Sequence, residues 1–580
     1  MYEKLHKFEK IIFDGCALAL VLFYSYSAVL QPTATQYHRG IYIIITYVLV
    51  FLLYKSKNPL MRVVDYLLML LSIGTIGYWI LNFEAINYRT GAETDLDMAI
   101  AVVGVLVGVE LARRVVGTVF VVLGTLLLLY GVYGEYAPEL ISHAGDTFPA
   151  LCTSIFYKSD GVFGIMANVL ATYVVLFVIF GAFLEKSGAQ KFFIDFPLAA
   201  VGHRIGGPGK VSVIASGLFG SISGSAIANT VSTGAFTIPM MKKAGFRPHV
   251  AGGIEPAASI GGMFMPPIMG AGGFIMAELT GVPYSQIMLV AIFPAFMYFF
   301  SVYVMVHYEA KKHNIVGEKS DVAAMEIFKR EWFYILPLAV ITVFMLSGYS
   351  PGYSAILGVV TCIAVSWFRK DTRIDLKGFV EASRAGAESS LKIGATVGVI
   401  GIIIGVLTYS GLVLTFADIV IELADGRLFL TIFLIALASL VLGMGVPVTA
   451  AYLITAVVAV PALTHLGVNE IAAHMIVYWL SQDSNITPPV CIAAFAGATI
   501  AKANMWLTAL SAFKFAKFLY LAPFLFGYVP GFSLNGSASD IAISFVLILF
   551  GTYAYSWLLS GIWMPKKKVA APSPSVDQAE

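Results

Sequence analysis

Residues 210–280 read KVSVIASGLFGSISGSAIANTVSTGAFTIPMMKKAGFRPHVAGGIEPAASIGGMFMPPIMGAGGFIMAELT, and the interruptions in this apolar stretch decide the fold. Two apolar arms, 210–219 and 226–241, are joined by Gly220-Ser221-Ile222-Ser223-Gly224-Ser225, a turn expected to be too rich in Gly and Ser to remain helical. Neither arm reaches the ~20 residues a helix needs to cross a bilayer. Lys210 flanks one end and Lys242, Lys243 and Arg247 the other, which places both ends in the cytoplasm. The pattern predicts a re-entrant hairpin with a polar tip. A second apolar segment, 249–278, is broken at Gly261-Gly262-Met263-Phe264-Met265-Pro266-Pro267. Pro and Gly inside such a span free backbone polar groups, which hydrocarbon tolerates only where they line a cavity or bind something.

The same construction recurs at one offset: 461 − 239, 488 − 266 and 489 − 267 each give 222 between prolines, and 467 − 245 gives 222 between glycines. Thr233 falls on Thr455. The Ser/Gly tip falls on Gly443-Met444-Gly445-Val446-Pro447-Val448-Thr449, and the break falls on Asp483-Ser484-Asn485-Ile486-Thr487-Pro488-Pro489. Interrupted spans at matching positions of two halves mark the ion and substrate site of a secondary transporter.

Composition agrees. Of 580 residues, 59% are hydrophobic and 12% charged, about half the charge of a soluble protein, so the fold class is an all-α polytopic membrane protein. A net charge of +2 carries no nucleic-acid signal. Cys16, Cys152, Cys362 and Cys491 are scattered and suggest neither a disulfide framework nor a zinc site. The run 11–30 is followed by Gln31-Pro32 rather than a small-residue cleavage site, so no cleaved leader is expected.

Walking the apolar runs against Lys and Arg gives spans near 11–30, 39–54, 63–82, 96–112 and 115–133, a long outer loop to Asp160, and a span at 162–184. Beyond hairpin one and the first broken span come 286–308, 332–346, 353–368 and an outward crossing at 391–423. Hairpin two, 428–465, then enters from outside, and the second broken span returns to Lys502. The total is about 14 transmembrane helices plus two re-entrant hairpins, with both termini cytoplasmic. One hairpin opens inward and one outward, an inverted repeat that lets a single site face alternate sides. The expected divisions are a four-helix unit at 1–112, a connecting helix and outer loop at 113–160, first and second repeats at 161–370 and 371–565, and a disordered cytoplasmic tail at 566–580.

Several phrases carry a resemblance: Phe183-Leu184-Glu185-Lys186-Ser187-Gly188, the tip Gly220 to Ala226, Gly234-Ala235-Phe236-Thr237-Ile238-Pro239, Met265-Pro266-Pro267-Ile268-Met269-Gly270, and the break Asp483 to Pro489. The chain resembles the membrane component of the tripartite ATP-independent periplasmic (TRAP) transporters over nearly its whole length. Its first four spans look like the small TRAP subunit fused to the large one, as in permeases of the TAXI branch. The resemblance implies an elevator mechanism in a bacterial or archaeal inner membrane, and coupling to Na+ as the usual case. It also implies a separate periplasmic substrate-binding protein and a small organic acid as cargo.

Dry helix breaks offer carbonyls and hydroxyl, amide or carboxylate oxygens to a cation. The candidate cation ligands are Ser221, Ser223, Gly261, Gly262 and Met263 in the first half, with Gly443, Gly445, Asp483, Ser484, Asn485 and Thr487 in the second. Asp483 is the sharpest, because a carboxylate near the bilayer centre costs at least ~2.5 kcal/mol unless it faces a cation, a proton or a cavity. Na+ and H+ both stay open. For Glu255, pairing with a lysine and a functional role stay equally open. His249 and His474 read as packed, and Glu110 as a boundary residue beside Arg113 and Arg114. An anionic substrate needs positive potential, which the half-helix N-termini at Ser225 and Thr449 would supply, with Asn229, Thr230 and Thr233 on the following turn.

No catalytic residue and no organic cofactor are expected, and membrane lipid is the only other partner. Gly209-Lys210-Val211 lacks the Ser or Thr of a phosphate-binding loop. An intramembrane serine hydrolase would leave the repeat unexplained and lacks Gly-x-Ser-x-Gly. The nearest rival is a receptor-independent sodium/carboxylate symporter of similar elevator fold.

Overall fold

The computed structural model describes residues 2–561; the expected tail at 566–580 and the basic end Lys566-Lys567-Lys568 lie outside the described residues. The described chain is built of helices, with one isolated bridge between Ile205 and Val316. Nine helices among the described residues are long and apolar enough to cross a membrane, and shorter apolar helices accompany them. Large apolar side chains stay exposed along these helices, such as Leu547 and Phe550 on Ala538–Ser560, as a hydrocarbon surrounding requires.

The helices fall into two groups. In the first, Lys7–Val29 packs on Pro351–Ser366 and Leu376–Gly394, Thr35–Leu53 on Pro59–Leu81, and Thr118–Val132 on Val397–Tyr409. Charge fixes the polar ends. Lys55 meets Glu9 at 2.5 Å and Arg114 meets Asp65 at 2.5 Å, while Arg89 meets Asp97 at 2.6 Å at the opposite ends of these helices. Arg113 and Arg114 both hold Glu110, the boundary role read from sequence.

The second group holds hairpin one (Gly207–Ser223 and Ala226–Lys243), the first broken helix (Pro248–Gly261 and Gly270–Thr280) and the long helix Tyr284–His313. It also holds hairpin two (Leu428–Leu442 and Val448–His465), the second broken helix (Glu470–Leu480 and Ile492–Ala501), Met505–Tyr528 and Ala538–Ser560. Element starts repeat at the offset read from sequence: 448 − 226, 470 − 248 and 492 − 270 each give 222. Left-handed backbone repeats with them, at Gly245 and Gly467 and at Met269 and Cys491.

The long helix shows how the halves are set. Hairpin one opens at its C-terminal end, where Gly206 N–H donates to Ile315 O at 2.9 Å and Lys210 Nζ stands 3.2 Å from His307 Nδ1. Hairpin two opens at the other end. Phe429 stacks on Phe524 at 4.9 Å, Phe526 packs on Phe532, and Phe532 packs on Phe293 near the long helix's start.

Four expectations are corrected. The helix of hairpin one runs through Gly220 to Ser223, and only Gly224, at φ +63°, and Ser225 break it. Glycine at 220 serves packing rather than turning, and Ser221 keeps its hydroxyl on the helix's own Leu218 carbonyl at 2.9 Å. The crossing read at 391–423 is Leu376–Tyr409, and Leu412–Leu423 turns off as a separate helix after Gly411, whose φ is +69°. A matching helix, Ala189–Val201, precedes hairpin one, where the sequence showed only a cytoplasmic connection. The outer loop before Asp160 contains a largely buried helix, Phe148–Tyr157, whose Tyr157 hydroxyl donates to Asp97 O at 2.9 Å.

Candidate ion and substrate site

Each hairpin tip meets the break of its own half. A methyl group on Gly262 would stand 2.4 Å from Gly220 Cα and 2.5 Å from its carbonyl carbon, so the two backbones touch. In the second half, one on Gly443 would stand 2.7 Å from Ser484 Oγ, and 484 − 262 is again 222. Gly262→Ala is therefore expected to cost ~1–3 kcal/mol by overpacking against a backbone that cannot yield. A lowered thermal midpoint of the detergent-solubilised protein measures it.

The first break is closed largely by tyrosines. Tyr478 Oη lies 2.7 Å from Met263 O and 2.6 Å from Met269 O, reaching across from the second broken helix. Tyr284 Oη lies 2.9 Å from Pro267 O and 2.5 Å from Ile268 O. Gly261 is walled by the Tyr298 and Phe299 rings. At the tip, the half-buried Ser223 donates to Ser225 O at 3.3 Å, and Ser225 caps the second arm by accepting from Ala228 N at 3.3 Å. Thr230 donates to Ala226 O. Asn229 is fully buried; its Nδ2 donates to Ser216 O at 2.9 Å, and its Oδ1 has no hydrogen-bond partner.

The second break differs in kind. Asp483 Oδ1, both polar atoms of the Gln482 amide, and the hydroxyls of Ser439, Thr449 and Thr455 are buried without hydrogen-bond partners. Asn485 donates to Gln482 O at 3.3 Å, and Thr487 Oγ1 sits 2.6 Å from Tyr520 Oη. Gly445, at φ +77°, turns the tip of hairpin two against Val119 of the first group. A buried polar atom without a partner is costly. Gln482 and Asp483 lie at the break, Ser439 and Thr449 on the two arms near the tip of hairpin two, and Thr455 further along its second arm, so the second half carries hydroxyl, amide and carboxylate oxygens of the kind that bind a small cation. Among the described residues no group of three or more His, Cys, Asp or Glu forms, so a transition-metal centre finds no ligand set.

Gln482, Ser439 and Thr455 extend the set beyond the residues singled out in sequence. The 222 offset already pointed to Thr455, while Gln482 stood one residue outside the quoted break. Glu255 stood open in sequence between lysine pairing and a functional role. It is fully buried and meets no lysine; instead the hydroxyls of Ser212 and Ser216 on one hairpin arm and Thr233 and Thr237 on the other surround its carboxyl group. His474 packs as expected, with Nδ1 3.0 Å from Tyr452 Oη.

Residues 102–532 match the family model described as "Tripartite ATP-independent periplasmic transporter, DctM component". A putative TRAP transporter large permease protein of Haemophilus influenzae is 26% identical over 322 residues, 55% of this chain and 74% of the relative. The sialic acid TRAP transporter large permease protein SiaM of Vibrio cholerae is 22% identical over 59% of this chain and 80% of its own. The 2,3-diketo-L-gulonate TRAP transporter large permease protein YiaN of Escherichia coli is 32% identical over 21% of this chain and 29% of its own. The family model spans both hairpins and both broken helices, and on that match this chain belongs to the large-permease, DctM-component family of the TRAP transporters.

Proposed function

We propose that this protein is the membrane permease of a sodium-driven TRAP-type importer. Its cargo is a small carboxylate-bearing solute delivered by a periplasmic binding protein. The observation that carries the reading is the set of buried, unpartnered polar groups in the second half, Asp483 and Gln482 at the break and Ser439, Thr449 and Thr455 on the arms of hairpin two. Hydroxyl and amide oxygens ligate Na+ but do not take up a proton near neutral pH, which favours Na+ over H+. Relatives named for sialic acid and 2,3-diketo-L-gulonate support an organic acid as cargo. The N-termini at Ala226 and Val448 supply the positive potential for its carboxylate.

In this reading the second helix group slides as a body along the first, an elevator with the lateral helices Ala189–Val201 and Leu412–Leu423 as its arms. The four N-terminal spans, largely ahead of residue 102 where the family match begins, are the fused small-subunit equivalent of a TAXI-branch permease. Where coupling cations outnumber the charges on the substrate, uptake rises with an inside-negative potential, by ~2.3 kcal/mol per net charge per 100 mV.

The test is uptake into proteoliposomes under a sodium gradient, with and without the binding protein on the outer side. The expected result is a rise of ~10-fold or more when the receptor is added, since it concentrates and presents the solute. Fast, saturable, sodium-driven uptake with no receptor would replace this reading with the receptor-independent symporter.

A further inference from the structure

We propose that a basic cavity beside the open end of hairpin one binds the phosphate of an anionic phospholipid. Three helices line it: Pro248–Gly261 through its first turn, Tyr284–His313 near its end, and Met505–Phe515. The cavity holds about 230 Å³, equal to about eight waters at ~30 Å³ each, which is room for a phosphodiester.

Charge selects the ligand. Arg247 Nη2 donates to Glu309 Oε1 at 3.1 Å, and Lys514 Nζ donates to Glu309 Oε2 at 2.8 Å. Glu309 is the only acid lining the cavity, and its side chain is 4% exposed, so it forms a floor that fixes both cations. Two cations over one carboxylate leave one positive charge, the complement of the single negative charge of a phosphodiester. Arg247 spends one of its five N–H groups on Glu309 and keeps 55% of its side chain exposed, which leaves its planar fork open to phosphate oxygens. His249 lines the same cavity, and His313 Nε2 stands 3.4 Å from Glu309 Oε1. The first turn of Pro248–Gly261 adds the positive end of a helix dipole.

The rim selects a lipid over a soluble anion. Leu507 and Leu510 line the cavity, and with Met505 and Trp506 they leave between 50% and 56% of their surface exposed. A free phosphate ester makes no use of that apolar surface, whereas a phospholipid lays its acyl chains along it. Basic pockets between membrane helices bind lipid headgroups in this way. All three helices belong to the group that carries the candidate ion site, so the headgroup braces one end of that group at the membrane surface. Lys311 and Lys319 are exposed nearby in sequence but do not line the cavity, and they separate a built site from diffuse surface charge.

Native mass spectrometry of the full-length protein in detergent tests the site without any transport measurement, so its failure is distinct from failure of the functional reading. The probes are dioleoylphosphatidylglycerol, its zwitterionic counterpart dioleoylphosphatidylcholine, and glycerol phosphate. The wild type is expected to bind phosphatidylglycerol more tightly than phosphatidylcholine. Arg247→Gln with Lys514→Gln is expected to weaken phosphatidylglycerol binding ~10-fold or more and to leave phosphatidylcholine unchanged, while Lys311→Gln with Lys319→Gln changes neither. If the double cavity variant does not fold, Arg247→Gln alone, which leaves Lys514 on Glu309, carries the comparison with an expected loss of ~5-fold. Equal binding of the two lipids, or an equal loss in the Lys311 and Lys319 variant, would overturn the proposal. Glycerol phosphate binding as tightly as phosphatidylglycerol would also overturn it, because the site would then serve a soluble phosphate ester.

Discussion

Asp483→Asn is expected to raise the sodium concentration for half-maximal uptake by at least ~10-fold, the equivalent of ~1.4 kcal/mol, with the protein still folded and inserted. Asp483 sits in the interruption between Glu470–Leu480 and Ile492–Ala501, with Oδ1 unpartnered and 4% of its surface exposed. A carboxylate at that depth costs ~2.5–3.5 kcal/mol unless something offsets it. In the present account that partner is the coupling cation. Asparagine keeps the shape and an oxygen ligand but removes the charge. The initial rate of uptake against sodium concentration measures the effect, and a wild-type curve would move the ion site elsewhere.

Joining the two helix groups should arrest the cycle. Arg39 Nε donates to Asn168 Oδ1 at 3.2 Å, and Asn168 Nδ2 donates to Glu278 Oε1 at 2.8 Å, which ties the first group to the end of the first broken helix. If that broken helix slides as part of a body, this contact must part on every cycle. Asn168→Cys and Glu278→Cys, in a background without the four native cysteines, are expected to lose uptake by ~10-fold or more when bridged by a short reducible thiol crosslinker and to regain it on reduction. Full uptake in the crosslinked protein would exclude sliding at this boundary.

How far the sequence reached can be judged residue by residue. The prolines and glycines that break helices lie where the backbone breaks, because these residues act locally through a missing N–H or a free φ. Hence the breaks after Gly261 and Leu480 and the 222-residue offset were legible. The persistence of helix from Gly220 to Ser223 was not, because it depends on the Gly262 backbone packing against Gly220 from a distant segment. Ala189–Val201 was missed because a 13-residue helix carrying Lys191 and Asp195 gives no spanning hydropathy signal, whereas Leu412–Leu423 was merged into the preceding crossing because its apolar run continues past Gly411. The Glu255 cage had a signal that went unread. Ser212 and Ser216, Thr233 and Thr237, and Glu255 and Ser259 are each spaced by four, so each pair shares one face of its helix.

Alternating access through this site requires two hairpins that open to opposite sides of the membrane. Single cysteines at Lys243 and Asn469, both exposed at the open ends of their hairpins, test this most directly in the background without native cysteines. In right-side-out vesicles a membrane-impermeant thiol reagent is expected to label position 469 and spare 243, and in inverted vesicles the reverse. Labelling of both positions from the same side would contradict the inverted repeat and, with it, alternating access through this site.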